Sequence, residues 1–427
     1  MNRLYPAPTR VATAFHLTAG TAVSMLLAVP TVASGELLGP YGEALKDGTA
    51  SLDVRYRFEH VDDDRRPKDG NASTVRTRLG YATGETYGLS GFLEFTATRA
   101  LGVDDYESAA GPGERAVVLD QEVTSVNQAF VDYAPGLDSR LRVGNQRIKL
   151  DNDRWVGNVG FRQQEQTYNA ARFTTGAIPD AVLDLTYAQR VNRITDFSSE
   201  PGDFFFLNAR YEGFDRIDVT AYGYLLDFDN DETAAFFTRS SDTYGLRASG
   251  VAPLNADLEV PYALEYARQS DAGDFSDVGE SYTAEYILAE VGLGSGPWTG
   301  RIGYEVLGSD DGEESLQTPL ATLHAFNGWT DLFLTNPADG LVDRYAMLEY
   351  MFPEEATAAT LVYRDLSADE GGQDYGSEIG VEVSHTFPHG YSVGLKYARF
   401  SSDDGIPGQT AQDEDVSKLW VTAALSF

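Results

Sequence analysis

Polar and apolar residues alternate with a period of two along most of this chain. In "SLDVRYRFEH", Leu52, Val54, Tyr56 and Phe58 fall on one face, and Asp53, Arg55, Arg57 and Glu59 on the other. "TVRTRLGY" repeats the pattern, setting Val75, Thr77, Leu79 and Tyr81 against Arg76, Arg78 and Gly80. "GLSGFLEFTATR", "RIGYEVLG", "SEIGVEVSHTF" and "YSVGLKYARF" continue it. Successive side chains of a strand point to opposite faces, so the pattern predicts strands with one greasy and one wet side. No long amphipathic helix interrupts them. About eighteen strands are expected, beginning near Ser51, Ser73, Tyr87, Thr124, Arg140, Thr167, Ala181, Phe204, Arg216, Thr243, Asp257, Tyr282, Trp298, Arg344, Ala358, Ser377, Ser392 and Val416.

The connections sort into two kinds. Every second one is short: "ATGET", "APGLDS", "TGAIPD", "EGFD", "VAPLNAD", "GSGP", "PEEAT" and "PHG". The others are mostly long, at 61–72, 100–123, 149–166, 190–203, 229–242, 269–281, 308–343, 367–376 and 401–415. This alternation predicts an all-β fold: a transmembrane antiparallel up-and-down β-barrel of about 18 strands, with short periplasmic turns and long extracellular loops. The last strand, "LWVTAALSF", puts Leu419, Val421, Ala423, Leu425 and Phe427 on one face and stops on the aromatic, like the C-terminal assembly signal of such barrels. A closed barrel pairs every backbone N–H and C=O without any long apolar run, which suits a chain that spans lipid. A soluble secreted β-solenoid or double sandwich is the rival reading. It needs neither the terminal aromatic nor the regular loop alternation.

Residues 1–34 follow another pattern. Arg3 and Arg10 precede a largely apolar stretch from Val11 to Val29, and Val32-Ala33-Ser34 is a small-residue cleavage site. This reads as a secretory signal peptide, with the barrel occupying 35–427; the rival is a frayed N-terminal helix. Export places the protein in the outer membrane of a Gram-negative cell, with outer-membrane lipid as its first partner.

Charge refines the picture. The chain has 427 residues, no Cys and a net charge of -34. A disulfide scaffold and a thiolate metal site are therefore excluded, and nucleic acid is an unfavourable partner. The acidic runs fall in the long loops without ordered ligand spacing, so no metal site is expected and the acid serves solubility and repulsion between neighbouring molecules; divalent ions bridging these carboxylates to lipid phosphates are the alternative. No cofactor is expected. The charge is also uneven. Residues 1–175 hold 19 basic and 22 acidic side chains, a net of -3, whereas 176–427 hold 13 and 44, a net of -31. Early polar faces carry Arg55, Arg57, Arg76, Arg78, Arg140, Arg142 and Arg172; later ones carry Glu259, Glu265, Glu305, Glu349, Glu378 and Glu382 among Arg247, Arg301 and Lys396. One lumen wall should then be basic and the opposite wall more acidic. Such a transverse field orients charged solutes, or else its ion pairs only hold the barrel's shape.

The segment "RVGNQRIKLDNDRWVGNVGFRQQEQTYNAARF", 142–173, concentrates this basic character, with six basic residues against three acidic. Trp155, Val156, Val159 and Phe161 make its loop too apolar to extend into water. A loop folded into the lumen would hide them and hold Arg154 and Arg162 across the channel. At this segment the sequence resembles the alginate-export family of outer-membrane porins. "LQTPLATLHAFNGWTDLFLTNPADGLVDRY" at 316–345 and "VEVSHTFPHGYSVGLKYARFSSDD" at 381–404 look like the same family. The resemblance implies a monomeric eighteen-stranded barrel with an inward loop, passing hydrophilic or anionic solutes along an Arg-rich lumen. The expected pore-lining set is Arg55, Arg57, Arg76, Arg78, Arg140, Arg142, Arg154, Arg162 and Arg172.

An outer-membrane barrel enzyme, of lipase or protease type, is the alternative. It needs a nucleophile and a base. The chain beyond residue 34 has four histidines, His60, His324, His385 and His389; His324 lies in a long loop with Ser315 and Asp331 near it in sequence only. No catalytic set is expected.

Overall fold

The computed structural model describes residues 39–109, 111–195, 199–229, 239–273, 281–353 and 356–427. The signal expected in 1–34 lies outside the described residues. Eighteen strands form one closed antiparallel sheet. The first seven are β1 (Thr49–Asp63), β2 (Gly70–Ala82), β3 (Leu89–Asp105), β4 (Val123–Gly136), β5 (Ser139–Gln146), β6 (Thr167–Ile178) and β7 (Ala181–Asn192). Then come β8 (Ser199–Phe214), β9 (Ile217–Phe228), β10 (Ser241–Pro253), β11 (Leu258–Asp271), β12 (Thr283–Ser295) and β13 (Trp298–Leu307). A two-residue hairpin, β14 (Ser309–Asp310) with β15 (Glu314–Ser315), interrupts the series. The barrel resumes with β16 (Leu341–Phe352), β17 (Thr357–Ser367), β18 (Asp374–Thr386), β19 (Tyr391–Ser402) and β20 (Val416–Ser426). Each barrel strand pairs with its sequence neighbour, and β1 closes the cylinder against β20 in the register Val54↔Leu425. Closure removes both sheet edges, so no ladder group is left for lipid.

All eighteen strands lie where the alternation placed them, each starting within a few residues of its expected position. The first long connection is shorter than expected: β1 runs on to Asp63 and β2 begins at Gly70, because the alternating faces continue past His60. Burial follows the period. On β1 the wall residues Arg57 and Glu59 are 3% and 0% exposed. Outward positions such as Leu264, Ile302, Leu361 and Leu395 stay exposed in the protein alone, forming the apolar belt. A short helix, α1 (Pro40–Lys46), sits beside the first short turn. Proline in its first turn is pre-set for the helix. Gly84 N donates to Ala44 O at 2.8 Å, and the Tyr81 hydroxyl to Leu45 O.

The largest buried apolar cluster lies inside the barrel. Phe204, Phe206, Tyr222, Tyr224 and Tyr286 from β8, β9 and β12 pack with Ile148, Leu150, Trp155 and Val156 from the 147–166 loop, and with Leu316, Leu320, Leu332 and Phe333 from the 308–340 loop. The lumen is therefore partly filled by chain from its own extracellular side.

Candidate functional site

Two loops enter the lumen and meet there. Residues 147–166 connect β5 to β6, and residues 308–340 connect β13 to β16. They are joined by main chain: Gly157 N donates to Leu320 O at 2.9 Å, and Thr322 N to Asp153 O at 3.0 Å. A Cβ at Gly157 would come within 2.3 Å of Thr322 Oγ1 and 2.9 Å of Thr322 N. Glycine is needed there for close approach of the two backbones.

The first half of the 147–166 loop is held by packing. Trp155 lies edge-on to Tyr286 with ring centroids 5.2 Å apart and also touches Tyr222. Its indole N–H donates to Glu265 Oε1 at 2.8 Å, so the one polar atom of the ring keeps a partner. The second half is held by charge. Arg162 bridges Glu59 at 2.8 Å and Asp331 of the other loop at 2.7 Å. Phe161 stacks on His324 at 3.5 Å between centroids. Glu165 takes Arg147 at 2.5 Å and Arg78 at 3.3 Å, with Asn127 and Asn158 also donating to it. Burial alone would raise the Glu165 carboxyl, but Arg78 and Arg147 outweigh it and hold it at about 2.

Wall carboxylates anchor the 308–340 loop. Glu378 accepts the backbone N–H groups of Trp329 (2.5 Å) and Thr330 (2.9 Å). Asn327 donates to Glu305 at 2.7 Å and to Asp343 at 3.1 Å. Lys418 reaches Asp331 at 3.0 Å, and Lys396 lies over the Trp329 ring at 3.8 Å.

The nine expected pore-lining arginines separate into three groups. Arg154 and Arg162 lie inside the loop–wall interface rather than holding an open channel between them. Arg154 is 0% exposed, paired with Glu305 at 3.1 Å and set over Phe326. Arg162 is 4% exposed. A buried guanidinium has to be paired, and the pairing acids come from the wall the loop presses against. Arg142 and Arg172 face the lumen from adjacent strands and are neutralised by Asp132 at 2.7 Å and Asp184 at 2.5 Å. Arg140 is exposed on the same face near the β4–β5 turn.

The third group is the β1–β2 wall, where Arg55 stands directly opposite Arg76 in register. Arg57 reaches Asp120 at 3.5 Å, and Arg76 reaches Asp53. Arg78 touches Glu165 once and leaves Nε and Nη2 without an acceptor. Among the described residues Arg55 meets neutral acceptors alone: Gln163 Oε1 and Gly160 O at 3.0 Å, and the Arg162 carbonyl. These four side chains are gathered by the strand register and the incoming loop.

The acidic wall behaves differently from a row of free pore charges. Glu265, Glu305, Asp343 and Glu378 are all buried and bonded to loop or wall donors, as is Glu59 on the basic wall. Sequence reasoning placed Glu59, Glu305, Glu378 and Lys396 on polar strand faces without assigning them an anchoring role, and it did not single out Asp343 or Lys418. The one available signal was the quoted 316–345 segment, whose apolar content matches that of the 147–166 loop. His324 Nδ1 lies 2.7 Å from Asp331 Oδ1, the arrangement a catalytic dyad would use. Its other nitrogen faces Lys396 Nζ at 3.0 Å, where a nucleophile's hydroxyl would have to stand. Burial pushes the ring well below its ordinary pKa and Lys396 adds to this, against the opposing pull of Asp331.

The family profile described as alginate export matches residues 48–304. No curated protein sequence matches the chain. Among solved structures, OccAB2 of Acinetobacter baumannii aligns with a TM-score of 0.69 at 15% identity, covering 90% of this chain and 100% of that one. OpdL of Pseudomonas aeruginosa aligns at 0.67 and 16% identity, over 90% and 99%. OpdK of the same organism, solved with vanillate, aligns at 0.67 and 14%, over 90% and 100%. At these identities the structural likeness speaks for the barrel fold.

Proposed function

This chain belongs to the alginate export family and is an outer-membrane porin, and we propose that it passes small hydrophilic anions, carboxylated saccharides among them, past the β1–β2 arginines. The observation that carries this reading is Arg55, a lumen guanidinium with no carboxylate partner among the described residues, opposite Arg76 and beside the under-bonded Arg78. Arg binds carboxylates in two-point geometry and stays charged at any working pH. Between low-dielectric walls its field is stronger than in bulk water. Arg76 stands level with Arg55, Arg57 lies one step toward the long-loop end, and Arg78, Arg140, Arg142 and Arg172 extend the basic side toward the short-turn end. Arg154 and Arg162 act one step removed, by fixing the loop that narrows the path. The vanillate of the OpdK structure is a small carboxylate of the kind this wall suits. The same proposal treats 1–34 as the export signal, 35–427 as the mature barrel, and the barrel as a monomer without enzymatic activity.

The test is conductance in planar bilayers under a salt gradient. Replacing Arg55 and Arg78 by Gln should move the reversal potential toward cation selectivity while the detergent-gel heat shift of the folded barrel is retained. An unchanged reversal potential would place these residues outside the conduction path.

A further inference from the structure

Every Lys or Arg on the eighteen strands points either into the lumen or outward, and the outward ones share one location. They are Arg99 on β3, Arg190 on β7, Arg268 on β11, Arg344 on β16 and Arg399 on β19, all exposed. All five lie toward the long-loop end of their strands. Arg190 is two residues from the end of β7, Arg268 three from the end of β11, and Arg399 three from the end of β19. The outward face at the short-turn end carries aromatics such as Tyr133, Tyr211, Trp298 and Tyr391, and no basic strand residue. Outward aromatics occur at the long-loop end too, Tyr244 and Tyr266 among them. Interfacial aromatics therefore belong to both leaflets, as a barrel requires, whereas the arginines belong to one.

Two of the five are already neutralised: Arg344 by Asp365 at 3.4 Å and Arg399 by Asp415 at 3.0 Å. Arg99, Arg190 and Arg268 form no ion pair among the described residues. Arg99 donates only to Thr98 O, Val123 O and Thr124 Oγ1, and Arg190 to Ser199 Oγ. Arg268 stands in register between Tyr244 and Glu285, and that carboxylate already accepts the Tyr266 hydroxyl at 2.9 Å. Outward carboxylates are present at the same end: Asp203 stands opposite Asp227 on β8–β9, and Asp242 of β10 is diagonal to Asp227. They interrupt the series of outward arginines between Arg190 and Arg268.

We propose that Arg99, Arg190 and Arg268 bind phosphate groups of lipid headgroups in the extracellular leaflet. Their height on the strands puts them at the headgroup level of that leaflet, where a fixed neighbour is a lipid rather than a passing solute. Guanidinium and phosphate pair in a forked, charge-assisted geometry. In a chain with a net charge of -34, unpaired outward arginines give phosphate-bearing lipid a local attraction that the acidic loops above it would otherwise oppose.

The test compares the full-length barrel with Arg99→Gln/Arg190→Gln/Arg268→Gln, each incorporated into phosphatidylcholine vesicles with or without bisphosphorylated lipid A. Lipids retained after detergent extraction are counted by native mass spectrometry. Wild type should retain lipid A over phosphatidylcholine, and each Arg removed should lower that preference about fivefold (~1 kcal/mol). Arg344→Gln/Arg399→Gln, whose guanidinium groups are already paired, should leave it unchanged. Equal lipid A retention by the triple variant, with its heat-modifiable gel shift intact, would overturn the proposal. So would equal retention of dephosphorylated lipid A, or complete displacement by inorganic phosphate, which would mark a site for the free anion.

Discussion

The two halves of the lumen wall use their charges for different purposes. On β11–β18 the carboxylates outnumber the cations, yet Glu265, Glu305, Asp343 and Glu378 are spent on holding the inward loops. On β1–β2 the arginines are fewer than the acids of the opposite wall, but Arg55 has no acid partner and Arg78 is only partly bonded. Net charge along the chain therefore does not measure the field a solute meets. A buried charge that satisfies a partner contributes structure, and one left over contributes selectivity.

The sharpest way to break this comparison is to remove an anchoring acid. Glu305→Ala leaves Arg154 buried and unpaired, and should destabilise the barrel by about 3–5 kcal/mol in denaturant unfolding. The double change Glu305→Leu/Arg154→Met should recover most of that loss, because the charge and its partner leave together. If the double variant is as unstable as the single, Glu305 is not acting through Arg154.

A smaller effect comes from the contact between the loops. Gly157→Ala drives a methyl group into Thr322 and should cost about 1–3 kcal/mol. The loops should separate, which bilayer recordings would register as larger and noisier conductance. Unchanged conductance would mean that the paired loops do not narrow the path.

Smaller again is the dependence on acid. The Glu165 carboxyl is held at about 2, below its ordinary value of 4.5. A depressed carboxyl gives stability that is present above the unfolded value and lost as pH falls through the folded one. Protease nicking of the 147–166 loop should therefore rise between about pH 4.5 and about pH 2. Glu165→Gln should be nicked more readily than wild type above that window, with a flatter response inside it.

The barrel was legible because its signal is local. Alternation in "TVRTRLGY" is a property of eight neighbouring residues, and each strand carries its own copy. The inward course of the 147–166 loop was legible for a similar reason, since Trp155 and Phe161 cannot be left in water. What they would meet was not. Trp155 donates to Glu265 across 110 residues, and Arg162 pairs with Asp331 across 169. Such partners are chosen by the closure of the cylinder, which no local pattern encodes. The acidic wall was open to two readings for that reason, a field on the solute or ion pairs that hold the barrel's shape. Its residues alternate correctly and point inward, and only the arriving loops convert them into anchors.

The most direct test of the division between the walls is a matched pair of reversal-potential measurements in one salt gradient. One protein carries Arg55→Gln/Arg78→Gln, and the other carries Glu305→Gln/Glu378→Gln. The account predicts a shift toward cations in the first. In the second it predicts altered conductance and lower stability, with the reversal potential near that of wild type. A large shift toward anions in the second, with none in the first, would contradict it.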